Sequence, residues 1–184
     1  LKMKISRSTS LPLDKFIEWA LYDKNSGYYM KKNPFGKEGD FVTAPNITRL
    51  FSEIIAIWII TFWKSIDSPK KFNLLELGAG NGEMMKVITE TLKNFPECFN
   101  ACNFMIHEKS NFLINQQKKN LNSEKISWVK DVKKINSCPT LYLANEFFDA
   151  IPIKQFFQKK EGWVERFVEF KNPKKAEFKE QKIN

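Results

Sequence analysis

Residues Phe72-Asn73-Leu74-Leu75-Glu76-Leu77-Gly78-Ala79-Gly80-Asn81-Gly82 form a short apolar run that opens into closely spaced glycines. That is the pattern of a buried parallel strand, a tight turn and the start of a helix. Glycines at such a turn let the backbone fold sharply and let a ligand approach the main chain. A dinucleotide and S-adenosylmethionine compete for this architecture. The spacing is G-x-G-x-G, and Glu83 stands where a dinucleotide fingerprint calls for its third glycine. A pyrophosphate binds a helix N-terminus through exposed amides and the helix dipole, and Glu83 would repel it there. Glu76 adds a further negative charge, which suits the sulfonium and α-ammonium of S-adenosylmethionine. Charge therefore favours the methyl donor, with Glu76, Gly78, Gly80 and Gly82 as cofactor-binding candidates. The competing reading is a tight strand-to-helix connection without a ligand.

On either side of this loop the hydrophobic periodicity changes. Residues 13–22 carry Leu13, Phe16, Ile17, Ala20 and Leu21 on one helical face, followed by turn formers at 23–27. Tyr28, Tyr29 and Met30 read as a short strand, 41–43 as extended, and 47–65 as one amphipathic helix. Beyond the glycines, helices are predicted over 83–95 and 110–121, with strands at 104–106, 126–129 and 140–144. Strands alternating with helices predict an α/β fold, a parallel sheet with flanking helices. Alternation at 153–157 and 163–170 around Gly162 predicts a C-terminal β-hairpin. The organisation is an N-terminal helical and loop extension over 1–68, an incomplete Rossmann-like core over 69–170, and a frayed charged tail over 171–184.

In a doubly wound sheet, ligands bind beyond the carboxyl ends of the strands. Glu108 ends the second parallel strand and is placed to accept both ribose hydroxyls; a solvated strand-end glutamate is the alternative. Asp131, after the third strand, is placed to meet the adenine edge. His107 reads as a rim or core residue. The fourth strand runs into Asn145-Glu146-Phe147-Phe148-Asp149-Ala150-Ile151-Pro152, which sets one amide and two carboxylates at the chemical end of the sheet. Enzymes that methylate nucleobase amino groups often carry Asn-Pro-Pro-aromatic here, stacked on a flipped base. Here Glu146 and Phe147 replace the two prolines, and a carboxylate at that point suits a cationic acceptor such as a guanidinium, which it grips in a bidentate pair. The alternative is that Asn145 and Asp149 only cap a helix.

With 184 residues and a net charge of +9, the chain has the length and composition of one folded domain with a basic surface. The excess is mostly lysine in doublets such as Lys118–Lys119, Lys133–Lys134 and Lys159–Lys160, a pattern read as a solvated surface before a nucleic-acid patch. Cys98, Cys102, Cys138 and the single His107 offer neither a disulfide framework nor a metal-ligand set. The most apolar stretch, 54–63, falls well short of the ~20 residues of a membrane span. No signal peptide follows Lys2, Lys4 and Arg7, so the expected compartment is a bacterial cytoplasm, or the mitochondrial matrix if the source is eukaryotic.

The whole stretch from about Leu13 to Phe170 resembles the MidA-like methyltransferases, the family of the mitochondrial complex I assembly factor that methylates arginine. The resemblance is carried by Ala20-Leu21-Tyr22-Asp23, Gly27-Tyr28-Tyr29, Phe35-Gly36, Gly39-Asp40-Phe41-Val42-Thr43-Ala44-Pro45, the glycine loop and the Asn145–Pro152 run, in matching order and spacing. It implies a class I methyltransferase (Rossmann-like) fold, S-adenosyl-L-methionine as donor and a protein substrate, with arginine the best-known acceptor and a respiratory complex I subunit a candidate partner. It also implies that the Gly39–Pro45 loop covers the cofactor, with Asp40 and Thr43 near the donor, Gly78, Gly80, Glu108 and Asn145 in the cofactor site, and Glu146 and Asp149 facing the acceptor. Asn46 departs from the family's usual Glu. Family members continue well beyond this length, so a fragment or truncated reading frame is expected. The rival readings are a nucleic-acid methyltransferase, a dehydrogenase disfavoured by Glu83, and a non-catalytic remnant or partner-binding assembly protein.

Overall fold

The computed structural model describes residues 10–31, 34–36, 39–121, 125–172 and 175–183. The basic residues Lys2, Lys4 and Arg7, and positions 173, 174 and 184 of the tail, lie outside them. In chain order the elements are β1 (Ser10–Pro12), α1 (Leu13–Tyr22), α2 (Tyr28–Lys31), α3 (Ala44–Ile47), α4 (Arg49–Ser65), β2 (Phe72–Leu77), α5 (Glu83–Leu92), α6 (Pro96–Ala101) and β3 (Cys102–His107). They continue with α7 (Asn111–Leu121), β4 (Ile126–Trp128), β5 (Thr140–Leu143), β6 (Phe156–Lys159), β7 (Gly162–Asn172) and β8 (Lys175–Lys182). Two compact units form: one from the segment up to Lys31 together with Phe148 onward, the other from Lys32–Phe147.

The second unit holds a parallel sheet in the order β4-β3-β2-β5. This is the predicted α/β architecture. β2 is central, and Leu74 and Leu75 in it are wholly buried, as are Phe104 and Ile106 in β3. Register is pinned by a buried amide, Asn73, whose Nδ2 donates to Asn136 Oδ1 (3.0 Å) and Thr140 Oγ1 (3.2 Å). Its Oδ1 accepts from Asn103 Nδ2 at 3.1 Å. A one-residue slip would leave that amide buried without partners, so the network selects a single alignment.

Helix α4 packs Ala56, Ile59, Ile60 and Trp63 into this core, together with Met85, Ile88 and Leu92 of α5. Its outer face leaves Leu50, Ile54, Trp58 and Phe62 exposed, with Trp58 stacked on Phe62 at 5.7 Å. The predicted continuous helix over 47–65 is interrupted at Thr48, which is extended (φ −146°) and caps α4 by accepting the Leu50 N–H on its side chain (3.2 Å). Pro96 starts the additional short helix α6. Cys98 and Cys102 lie buried where α6 meets β3, and burial pushes the Cys98 thiol up to about 11 and raises Cys102 as well. Cys138 is half-buried.

In the first unit, β7 pairs antiparallel with β1, β6 and β8. Leu13, Val168 and Phe170 form its small core with Phe16, Ile17 and Trp19. The predicted hairpin is present as β6 and β7. Two expectations fail here. Tyr28–Lys31 is helical because the Asp23 carboxylate accepts from Asn25 and Ser26 N–H groups and turns the chain, and Tyr29 then stacks on Tyr22 at 5.8 Å. Residues 175–182, expected to be frayed, form β8. Its Lys/Glu-rich sequence buries little but supplies ion pairs, Lys179 with Glu169 (3.0 Å) and Lys159 with Glu180 across strands and Lys182 with Glu161 (2.8 Å) in the turn before β7. Among the described residues no helix is long and apolar enough to cross a membrane.

Candidate functional site

The glycine loop lies at the carboxyl end of β2 and leads into α5. Gly78, Gly80 and Gly82 have φ of +67°, +55° and +88°, values that other residues adopt only with strain. Close approach is a second requirement at two of them. A Cβ on Gly78 would sit 2.7 Å from the Phe147 ring, and one on Gly80 would sit 3.2 Å from the Phe35 ring. The loop is thus bracketed by two aromatic side chains that sequence reasoning did not single out, although Phe35 and Phe147 both lie in the motifs quoted above.

The loop carbonyls are also tied down. Gly80 O accepts from Gln117 Nε2 (2.9 Å) and Asn81 O from Asn120 Nδ2 (2.9 Å), both reaching from α7. In the turn before α5, Asn81 Oδ1 accepts the Glu83 N–H (3.3 Å), and Asn81 Nδ2 donates to Asn46 Oδ1 at 2.7 Å. Asn46 Nδ2 in turn donates to Thr43 Oγ1 (2.9 Å). The residue that departs from the family's usual Glu therefore links Thr43 to the glycine loop. Asp40 is exposed in the preceding segment.

Glu76 is only 3% exposed, and its Oε2 has no hydrogen-bond partner among the described residues. Burial first, then the nearby Glu108 charge, pushes its carboxyl up to about 8. Glu108 accepts the Lys109 and Ser110 N–H groups on Oε1 (2.8 and 2.9 Å). Burial raises its pKa too, against the opposing pull of those backbone donors. A buried carboxyl with one oxygen unpartnered among the described residues, beside a glycine cradle, fits a ligand whose positive charge would favour its ionised form.

The remaining candidates are placed as follows. Asp131 is exposed and caps its own turn, accepting the Lys133 N–H at 3.0 Å. His107 Nδ1 donates to the Val129 carbonyl (2.9 Å), which identifies the ring as a strand-end clasp. Asn145 is half-buried just past β5, and Glu146 is exposed with φ +53°, a left-handed conformation that is costly for a non-glycine residue. The boundary between the units falls after Phe147, so Asp149 belongs to the other unit, in the short 3-10 turn Phe148–Ala150.

A parallel sheet with a glycine loop at the carboxyl end of β2 and an acid following β3 defines an α/β domain of the Rossmann-like class. The chain belongs to the family whose sequence model is described as "Putative S-adenosyl-L-methionine-dependent methyltransferase", which matches residues 54–184. It is 28% identical over 193 residues to the mitochondrial protein arginine methyltransferase NDUFAF7 of Xenopus tropicalis, covering 92% of this chain and 45% of the relative. The human protein of the same name matches at 28%, over 92% of this chain and 44% of its own length. The chain therefore spans about half the length of the curated relatives it matches. A crystal structure of a Burkholderia thailandensis protein bound to S-adenosyl-homocysteine superposes with TM-score 0.78 at 22% identity, over 95% of this chain and 46% of that one. A native structure from the same organism, at TM-score 0.73 and 22% identity, covers 95% of this chain and 44% of its own and shares the fold.

Proposed function

We propose that this chain supplies the S-adenosyl-L-methionine-binding half of a methyltransferase acting on a protein arginine side chain. The observation that carries the reading is the buried Glu76 carboxyl, whose Oε2 has no partner among the described residues, beside the positive-φ glycines. When bound, S-adenosyl-L-methionine supplies an electrophilic methyl group next to a positive sulfur. Glu76 compensates cationic charge from beneath the loop, while Gly78, Gly80 and Gly82 leave the main chain open to close approach. Glu108 receives the ribose hydroxyls. Asp131 is assigned to the adenine edge and Asn145 to the cofactor rim. Asp40 and Thr43 lie in the segment proposed to cover the donor, and the Thr43–Asn46–Asn81 link supports that placement.

Glu146 holds the acceptor guanidinium, whose charged form is a poor nucleophile, and takes up the proton that its nitrogen sheds. Its exposed, strained position supports the role. Asp149 is assigned to the acceptor from its place in the sequence run alone. The names of the relatives support an arginine acceptor and, of the two compartments expected, the mitochondrial one; a complex I subunit as substrate rests on the family resemblance.

The test is calorimetric titration of this chain with S-adenosylhomocysteine. Saturable binding is expected for the wild type and for Glu146→Gln, and loss of binding for Gly80→Asp, whose side chain would enter the space beside Phe35. In the full-length protein Glu146→Gln should bind the donor and transfer no methyl group. A folded wild-type chain that binds no S-adenosylhomocysteine would sink the reading.

A further inference from the structure

Gln117 is fully buried on the face of α7 that also carries Leu113 and Leu121. An amide in such a place must find its partners within the protein, and these partners come from separate elements. Its Oε1 accepts the Trp128 indole N–H at 2.8 Å, from the end of β4. Its Nε2 donates to the Gly80 carbonyl at 2.9 Å and reaches Glu108 Oε2 at 3.4 Å. The orientation of the amide is dictated chemically, because an indole N–H only donates and a carbonyl only accepts. Exchanging the amide oxygen and nitrogen would break both bonds. Glu108 Oε1 is already occupied by the Lys109 and Ser110 N–H groups. The carboxylate is thus steered from both oxygens, and the same amide fixes its position relative to the glycine loop.

We infer that Gln117 is the positioning residue that aims Glu108 at the ribose hydroxyls of the bound nucleoside. This rests on the cofactor reading above. A glutamine that merely fastened α7 to the sheet would affect every part of a ligand alike. One that aims Glu108 affects recognition of the ribose in particular.

The experiment compares S-adenosylhomocysteine with its 2′-deoxy analogue, each titrated into the wild-type chain and into Gln117→Met, which keeps the side chain's length and loses its amide. The wild type should prefer the ribonucleoside by roughly tenfold, the worth of a hydrogen bond to a charged group. In Gln117→Met that ratio should fall toward one through weaker S-adenosylhomocysteine binding, with the deoxy analogue bound about as before. Wild type that binds with a ratio unchanged in the variant, or a variant that loses both ligands equally, overturns the positioning role and leaves the cofactor reading standing. Wild type that binds neither nucleoside overturns both. Should Gln117→Met fail to fold, Trp128→Phe removes the indole donor that holds the amide in place. The ratio should then also fall, and a ratio kept at the wild-type value overturns the inference.

Discussion

Glu76 concentrates the residue-scale physics. Its folded-state value of about 8 stands above the ordinary 4.5, so between those limits the native chain keeps a proton that the unfolded chain has released. Stability contributed in this way is fully present below about 4.5 and is lost as pH rises toward about 8. Urea unfolding from pH 5 to 8 should therefore show a declining midpoint, and Glu76→Gln should flatten that decline; an equal slope in both would refute the assignment. The candidate-site residues that sequence can name are those whose chemistry is local: glycines at a strand end, and acids following strands. Gln117, Phe35 and Phe147 were not, because their roles depend on which loop or helix comes within reach. Gln117 did leave a signal, a polar side chain in helical register with Leu113 and Leu121. Glu146 stands out in the sequence by its charge, whereas its left-handed backbone leaves no mark in residue types.

Among the elements, α4 divides into two faces with different energetic weight. Ile59 is completely buried against the parallel sheet, and Ile54 is 58% exposed. Ile59→Ala should cost about 2–5 kcal/mol through lost burial and a residual cavity. Ile54→Gln should stay within about 0.5 kcal/mol. Chemical denaturation of both variants checks the contrast, and a comparable loss in each would mean that the outer face is covered. The parallel strands and their intervening helices were readable because continuous apolar runs and 3.6-residue periods differ clearly. The break at Thr48, the α2 turn and the β8 strand escaped because each is decided by capping, aromatic stacking or cross-strand charge pairing, none of which leaves a hydrophobic period.

At the scale of the molecule, chain order and compactness part company. Antiparallel pairing of β1 with β7 joins residues near the start of the chain to residues far along it, and composition carries no mark of that closure. The parallel-sheet unit holds Cys98 and Cys102, whose thiols burial both shields and keeps protonated. An alkylating reagent needs the thiolate, so modification of these two sulfurs must wait for the sheet and α6 to separate, while the half-buried Cys138 has less to wait for. The pair thus acts as a built-in clock. Their labelling rate at fixed pH counts how often this unit opens, and S-adenosylhomocysteine should slow that clock, leaving Cys138 the first sulfur to react.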